Sequence, residues 1–187
     1  GPMGDEHAEA IDLVLAGSGL FAALLGIALG WMVWGKDRAT QAERDRIALY
    51  LNYDMIGSPN FIQMVYDADQ STFEAPVEIP DGSTAIEDLY ESYYTSIGEP
   101  YDDSAFDGRS DYQAFIENGI PSGGLFTGAE EIKTAEQQAI WGGTTGQQFD
   151  PCYHQPCDTF SNNNDHALTV NSDLVAFAQL TFAFSTQ

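Results

Sequence analysis

Residues 13–34, LVLAGSGLFAALLGIALGWMVW, carry no charge over 22 positions, and this segment constrains the fold more than any other. A run of this length and composition is buried either in lipid or in a protein core. Acidic residues precede it and basic ones follow, which would leave the remainder of a membrane protein in the cytoplasm. The alternative is a buried helix at about 20–29, entered through GSG, followed directly by a buried strand, WMVW. We expect the second arrangement, and therefore no membrane span.

The charge is strongly acidic, with 29 acidic against 6 basic residues and a formal net charge of -23. Such a field repels nucleic acid and anionic lipid, and it attracts metal ions and cationic ligands. We therefore exclude nucleic-acid binding. The length of 187 residues suits one hydrophobic core. We expect one domain over residues 4–187, present as a monomer, with residues 1–3 left over from protease cleavage after expression.

Segments of strand and helix character alternate along the chain, which predicts an α/β fold with a central, mostly parallel or mixed sheet flanked by helices. Asp54 ends the apolar run of the first of these strands, at the kind of position where α/β sheets place their sites. The predicted elements are strands in 47–57 and 61–67, a helix in 83–98, a helical turn and a strand in 110–126, a surface loop in 141–164, and a buried helix in 171–184 capped near Asn171 or Ser172.

The segment DPCYHQPCD, residues 150–158, places His154 between the only two cysteines of the chain. Two cysteines at this separation can close a disulfide loop in an oxidising compartment. The alternative is a zinc site formed by Cys152, His154 and Cys157, but a structural zinc site takes four ligands and no second cysteine pair exists. The sequence favours the disulfide, which would hold His154 at the tip of the loop.

Five motifs occur in a fixed order: YLNYDMIGSPN, DGRSDYQAF, GIPSGGLFTGAE, WGGTTGQQFDPCYHQPCD and NSD. In these motifs the chain resembles secreted bacterial aminopeptidases with two co-catalytic zinc ions, over about residues 43–187. The resemblance implies an α/β fold with a mixed sheet, two zinc ions, a disulfide between Cys152 and Cys157, and secretion. It also implies peptide substrates with a free N-terminus, from which large apolar residues are removed.

The resemblance also implies roles for five side chains. Asp54 would bind one zinc ion and His154 the other, and Tyr153 would donate its hydroxyl to the oxyanion of the tetrahedral intermediate. Arg109 would help to hold the substrate, and Phe126 would line the side-chain pocket. Oxygen and nitrogen ligands suit zinc, and a pair of zinc ions supplies a nucleophilic hydroxide and polarises the carbonyl.

The sequence departs from the family pattern before Asp54. Leu15 stands at the position of an aspartate that bridges the two ions, and Asp37 and Arg38 stand where the family has paired glutamates, one the general base and one a zinc ligand. Asp37 would then be a shortened general base, and an arginine at a ligand position would repel the ion. Glu130 and Glu131 imitate the glutamate pair, but they follow a non-catalytic motif and are expected on the surface.

Three functional hypotheses follow from these departures. The chain is a working zinc aminopeptidase that takes its missing ligands from residues such as His7, Glu9 or Asp12. Alternatively, it is a truncated, redesigned or degenerate relative that keeps the fold without activity. The third hypothesis is a membrane-anchored module that uses residues 13–34.

Arg109 is isolated in a long acidic region, because four of the six basic residues lie between positions 36 and 46. A lone cation in such surroundings is expected to form an ion pair. We expect its partner to be a carboxylate near Asp54 or Asp111.

Overall fold

The structure is a computed structural model that describes residues 40–185, and the chain divides into two compact units, Gly1–Arg46 and Ile47–Gln187. The described part of the first unit contains helix α1 (Gln41–Arg44), which begins with a capping box between Thr40 and Glu43. The predictions that concern residues 13–34, Asp37 and Arg38, and those for His7, Glu9, Asp12 and Leu15, lie outside the described residues.

Four strands of the second unit form one mixed sheet, in the spatial order β1-β4-β2-β3. Strands β1 and β4 are parallel, as are β2 and β3, while β2 and β4 run antiparallel. The mixed α/β sheet predicted from the sequence is therefore confirmed. The strands are β1 (Tyr50–Tyr53), β2 (Met64–Tyr66), β3 (Asp102–Ser104) and β4 (Ser122–Phe126).

Four helices accompany the sheet, and α2 illustrates why they form. Its residues Ile86, Tyr90 and Tyr94 recur at intervals of four, so that they share one face, and all three are buried. This face packs with Val65 and Leu125 of the central strands in one hydrophobic core cluster. The helices are α2 (Ser83–Ile97), α3 (Tyr112–Ile116), α4 (Ala135–Trp141) and α5 (Asp165–Phe184).

Two glycines in β4 allow its neighbours to approach closely. A Cβ atom at Gly123 would lie 2.7 Å from Cγ2 of Ile86, and one at Gly124 would overlap the carbonyl oxygen of Asn52 in β1. The sequence SGGLF can therefore form the buried strand only because these positions lack side chains.

The C-terminal helix α5 begins earlier than the sequence predicts. Its N-cap is Asn164, whose side chain accepts hydrogen bonds from the backbone N–H groups of His166 and Ala167, both at 3.1 Å. Asn171, predicted to cap the helix, is instead buried inside it. Its Nδ2 donates to the carbonyl oxygen of Ile56 at 2.9 Å and to Oε1 of Gln63 at 2.8 Å. Asn171 is therefore a buried hydrogen-bonding residue inside the helix, and the prediction that it caps the helix is wrong.

Within the described residues, α5 is the one helix long and apolar enough to cross a membrane. Core helices of soluble proteins share this property, and Leu174 and Ala178 pack in the same core cluster as Ile86. Much of the remaining helix surface is exposed, including Phe177, Leu180 and Phe184. The prediction of a buried helix therefore holds for one face only.

Candidate active site

A cleft opens where the parallel strands β1 and β4 end, and it brings together four of the residues predicted for the site. Asp54 directly follows β1, and Phe126 is the last residue of β4. Arg109 and Tyr153 reach the same cleft from two separate loops. Residues that are up to 99 positions apart in sequence therefore line one surface.

Asp54 is exposed at the end of β1, and its carboxylate is held from one side. Ser110 Oγ donates to Asp54 Oδ2 at 2.9 Å and accepts a hydrogen bond from Asn52 Nδ2 at 3.1 Å. Asn52 is buried in β1, two residues before Asp54. The turn continues through Met55, which has a φ of 57° and whose carbonyl oxygen accepts from the backbone N–H of Thr127 at 2.9 Å. The aspartate is thus fixed by a network anchored in the sheet.

The field around Asp54 is negative. Burial raises the pKa of Asp111, and the charge of Asp54 raises it further. Burial likewise raises the pKa of Tyr50, again with contributions from Asp111 and Asp54. Burial is the main cause of both shifts, and the smaller contributions of Asp54 and Asp111 reflect a negative field at this strand end, which favours a cation in the cleft.

The cysteine loop contains the predicted disulfide between Cys152 and Cys157, with 5.3 Å between their Cα atoms. The zinc site formed by both cysteines is therefore wrong. Asp150 organises the loop, since its Oδ1 accepts from the backbone N–H of Cys152 and from Nδ2 of Asn162, both at 2.9 Å. Asp150 is 5% exposed, so its carboxylate is a buried anchor.

Tyr153 and His154 lie in this loop with their rings stacked, the centroids 3.9 Å apart. His154 has a φ of 55°, a left-handed conformation that a non-glycine residue adopts only where its surroundings impose it. Tyr153 lines the cleft, and His154 is exposed beside it. The short loop thus presents a phenol and an imidazole together.

Arg109 forms ion pairs with Glu130 at 2.5 Å and with Glu131 at 3.5 Å. The expected pairing with a carboxylate is present, and one of the two partners, Glu131, lines the same cleft as Asp54. The hydrogen bond to Glu130 raises the pKa of Arg109 above its usual range. All three side chains are about half exposed, as expected for Glu130 and Glu131, so the pairs add little to the free energy of unfolding.

The predicted metal ligands are one carboxylate and one imidazole, which are donors of the kind that zinc takes. Within residues 40–185, the groups of three or more His, Cys, Asp or Glu side chains whose ligand atoms lie within 4.8 Å of one another include neither Asp54 nor His154. Two donors fall short of the three that a catalytic zinc ion requires. The acidic groups lie elsewhere and consist of Asp67, Asp69 and Glu87, and of Glu87, Glu91 and Asp103.

Sequence reasoning missed the residues that support the site. Asn52 and Ser110 hold Asp54, and Asp150 holds the cysteine loop. The available signals were weak: a polar residue inside an apolar strand, and an aspartate just before a Pro-Cys pair. Each such signal also fits an ordinary turn or surface position.

The mixed α/β sheet, with an acidic cleft at its strand ends, is of the kind found in metallopeptidases. The model of Peptidase family M28 matches residues 30–179, and the chain belongs to this family. The fold agrees with a zinc aminopeptidase from Bacillus subtilis at a TM-score of 0.54 and 20% identity, over 81% of this chain and 32% of that one. It also agrees with LapA aminopeptidase from Legionella pneumophila at a TM-score of 0.53 and 17% identity, over 83% and 37% of the two chains.

Curated aminopeptidase sequences share a higher sequence identity with this chain than these two solved structures do. The chain is 53% identical over 143 residues to probable leucine aminopeptidase 2 from Aspergillus fumigatus, a match of 76% of this chain and 28% of the relative. It is 47% identical over 145 residues to an aminopeptidase from Pseudomonas aeruginosa, over 78% and 27% of the two chains. The chain thus spans under a third of the length of these relatives.

Removing the disulfide should destabilise the described fold. Changing Cys152 and Cys157 together to serine should lower the free energy of unfolding by about 2 kcal/mol, because a six-residue loop is no longer closed in the unfolded chain. Urea unfolding of both proteins measures the difference. Thiol titration of the denatured, unreduced protein should find no free thiol, and two reactive thiols per chain would contradict the disulfide.

Proposed function

We propose that the chain carries a zinc-dependent aminopeptidase site that removes apolar N-terminal residues from peptides, and that residues 47–185 supply its substrate cleft. One observation carries this proposal: Asp54, Arg109, Phe126 and Tyr153, which the sequence places far apart, line the same cleft. The aminopeptidase names of the relatives and the family membership support it.

Asp54 and His154 would contribute ligands for zinc in this proposal. When bound, zinc would provide the nucleophilic hydroxide and polarise the scissile carbonyl. Asp37 is the proposed general base, and it precedes the described residues. The substrate contacts would come from residues 47–185.

Each cleft residue has a task in this proposal. The Tyr153 hydroxyl donates a hydrogen bond to the oxyanion, a role that fits its fixed position on the disulfide loop. Phe126 offers an apolar surface to the first side chain of the peptide. The carboxylates of Asp107 and Glu131 give the cleft a negative field that attracts the N-terminal ammonium group.

A second candidate is a relative that keeps the fold and the peptide cleft but hydrolyses weakly or not at all. Leu15 and Arg38 favour it, because they replace a bridging carboxylate and a terminal ligand. The two candidates share the substrate class and differ in zinc content and rate. Measuring the zinc content of the purified chain together with release of leucine from a leucine anilide separates them.

The disulfide supports a secreted, extracellular location, since disulfides persist in oxidising compartments. The acidic composition is consistent with an exposed soluble protein that acts as a monomer. The alternative is membrane anchoring through residues 13–34. Purification without detergent tests it, because a monomer that requires detergent would favour the anchor.

Changing Tyr153 to phenylalanine should lower kcat for the leucine anilide about 100-fold, since one oxyanion donor is lost while the ring stays. KM should change little, because the donor acts mainly in the transition state. The matched control is Tyr101→Phe, a half-buried tyrosine stacked on Tyr94 that does not line the cleft. Equal kcat values for Tyr153→Phe and the unchanged protein would remove Tyr153 from the mechanism.

A further inference from the structure

The charged groups of the cleft are unbalanced. Three carboxylates line it, those of Asp54, Asp107 and Glu131, and Arg109 is the cation among its described lining residues. Glu130 adds a fourth carboxylate through its contact with the same arginine. With Asp54 set aside as the proposed zinc ligand, the three remaining carboxylates still outnumber the one guanidinium group.

The guanidinium group of Arg109 already contacts two carboxylates of the protein. Its Nη2 contacts Glu130 Oε1 at 2.5 Å and its Nη1 contacts Glu131 Oε1 at 3.5 Å, so two carboxylates share one positive charge. An incoming substrate carboxylate would have to displace one glutamate and then face the other. An arginine free of such partners would attract that carboxylate instead, through a bidentate contact.

We propose that this cleft discriminates against peptides with a carboxylate close to the scissile bond. It accepts longer or amidated peptides in preference to free dipeptides, and Glu130 and Glu131 set this preference by neutralising Arg109. The inference rests on the proposed function and specifies its substrate class.

The expected effect is moderate because the charges are half exposed. The carboxylates of Asp107, Glu130 and Glu131 exceed the charge of Arg109 by two, and two negative charges at about 7 Å in a solvent-like dielectric disfavour one substrate carboxylate by about 10-fold in affinity. Salt screens such an interaction, with a Debye length of about 10 Å at 0.1 M and about 3 Å at 1 M. The ratio of the affinities for the amidated and the free peptide should therefore fall towards 1 as the salt concentration rises.

Leucyl-glycine and leucyl-glycinamide form a suitable pair of probes, since they differ in one charge and keep nearly the same shape. Binding of each to the full chain is measured by calorimetry at 0.02 M and 1 M salt, and leucine release is measured in parallel. We expect the amide to bind about 10-fold more tightly at low salt.

The double variant Glu130→Gln/Glu131→Gln should free Arg109. The affinity for leucyl-glycinamide divided by that for leucyl-glycine should then fall to about 1 or below 1. The matched control is Glu74→Gln/Glu78→Gln, which removes the same charge from two exposed positions outside the cleft lining. A loss of the preference in both double variants would reflect the net charge of the protein and would overturn the assignment to Arg109.

Three further outcomes are decisive. Equal binding of the two probes to the unchanged protein, or a Glu130→Gln/Glu131→Gln ratio equal to that of the unchanged protein, would overturn the inference and leave the proposed function intact. Failure of both probes to bind, with no leucine released, would overturn the proposed function and this inference with it.

Discussion

Replacing Glu87 with glutamine should stabilise the protein at pH 8 by about 3 kcal/mol and leave its stability at pH 4 nearly unchanged. Glu87 lies on α2 and is 2% exposed. Its Oε2 accepts hydrogen bonds from the backbone N–H groups of Ala68 at 3.1 Å and Asp69 at 2.9 Å. Glutamine keeps an oxygen that can accept both bonds but carries no charge.

The pH dependence follows from the pKa of Glu87, which is raised from 4.5 to about 7. Burial is the largest cause, the backbone hydrogen bond from Asp69 opposes it, and the charges of Asp69, Glu91 and Asp67 add to it. Below pH 4.5 the carboxyl group is protonated in both the folded and the unfolded chain. Between pH 4.5 and 7 the unfolded chain releases this proton while the folded chain retains it, so the free energy of unfolding falls. The loss amounts to about 3 kcal/mol and is complete above pH 7.

Urea unfolding from pH 4 to pH 8 measures this effect as the difference between Glu87→Gln and the unchanged protein. The difference cancels the other titrating groups. Asp88→Asn is the matched control, because Asp88 is the next residue of α2 and is exposed. A difference between Glu87→Gln and the unchanged protein that does not vary with pH would show that Glu87 titrates normally in the folded chain.

The sequence predicts those parts of the fold that depend on local periodicity. Helix α2 was expected from the helical spacing of Ile86, Leu89, Tyr90 and Tyr93. The structure buries Ile86 and Tyr90, but it places Tyr94 in the core and leaves Leu89 and Tyr93 half-buried. The start of α5 was not predicted, because Asn171 suits a helix cap as well as it suits a buried hydrogen-bonding anchor. Only the position of Gln63, 108 residues away, decides between these roles.

The candidate site was likewise predictable only in part. The order of the motifs was sufficient to expect Asp54, Arg109 and Tyr153 in one place. The partners of Arg109 were not predictable, because the path of the chain after β4 determines which carboxylates reach the guanidinium group. The raised pKa of Glu87 could not be predicted from the sequence either. A glutamate on an amphipathic helix is usually exposed, whereas Glu87 is buried against the loop that follows β2.

The second large prediction concerns zinc. If the chain is the weakly hydrolysing relative of the second candidate function, which Leu15 and Arg38 favour, the purified chain should hold fewer than two zinc ions. Its hydrolysis of a leucine anilide should then be far slower than that of the Pseudomonas aeruginosa relative assayed beside it. The resemblance supplies Asp54 and His154 as ligands, and a lone pair of donors does not retain a catalytic zinc ion. Two tightly bound ions with rapid, chelator-sensitive leucine release would show that other residues of the chain complete the site.

Restoring the missing donors tests the same argument in the opposite direction. The double change Leu15→Asp/Arg38→Glu adds two carboxylates and removes a repelling cation, which brings the donors to at least three for one ion. We expect about one additional zinc ion per chain by elemental analysis. We also expect a rise in rate of about three orders of magnitude, since a bound ion contributes several kcal/mol of transition-state stabilisation. Adding His154→Ala to this variant should abolish both gains, because the restored carboxylates then lack their imidazole partner. Zinc uptake that survives the loss of His154 would show that the new carboxylates do not bind the ion together with His154.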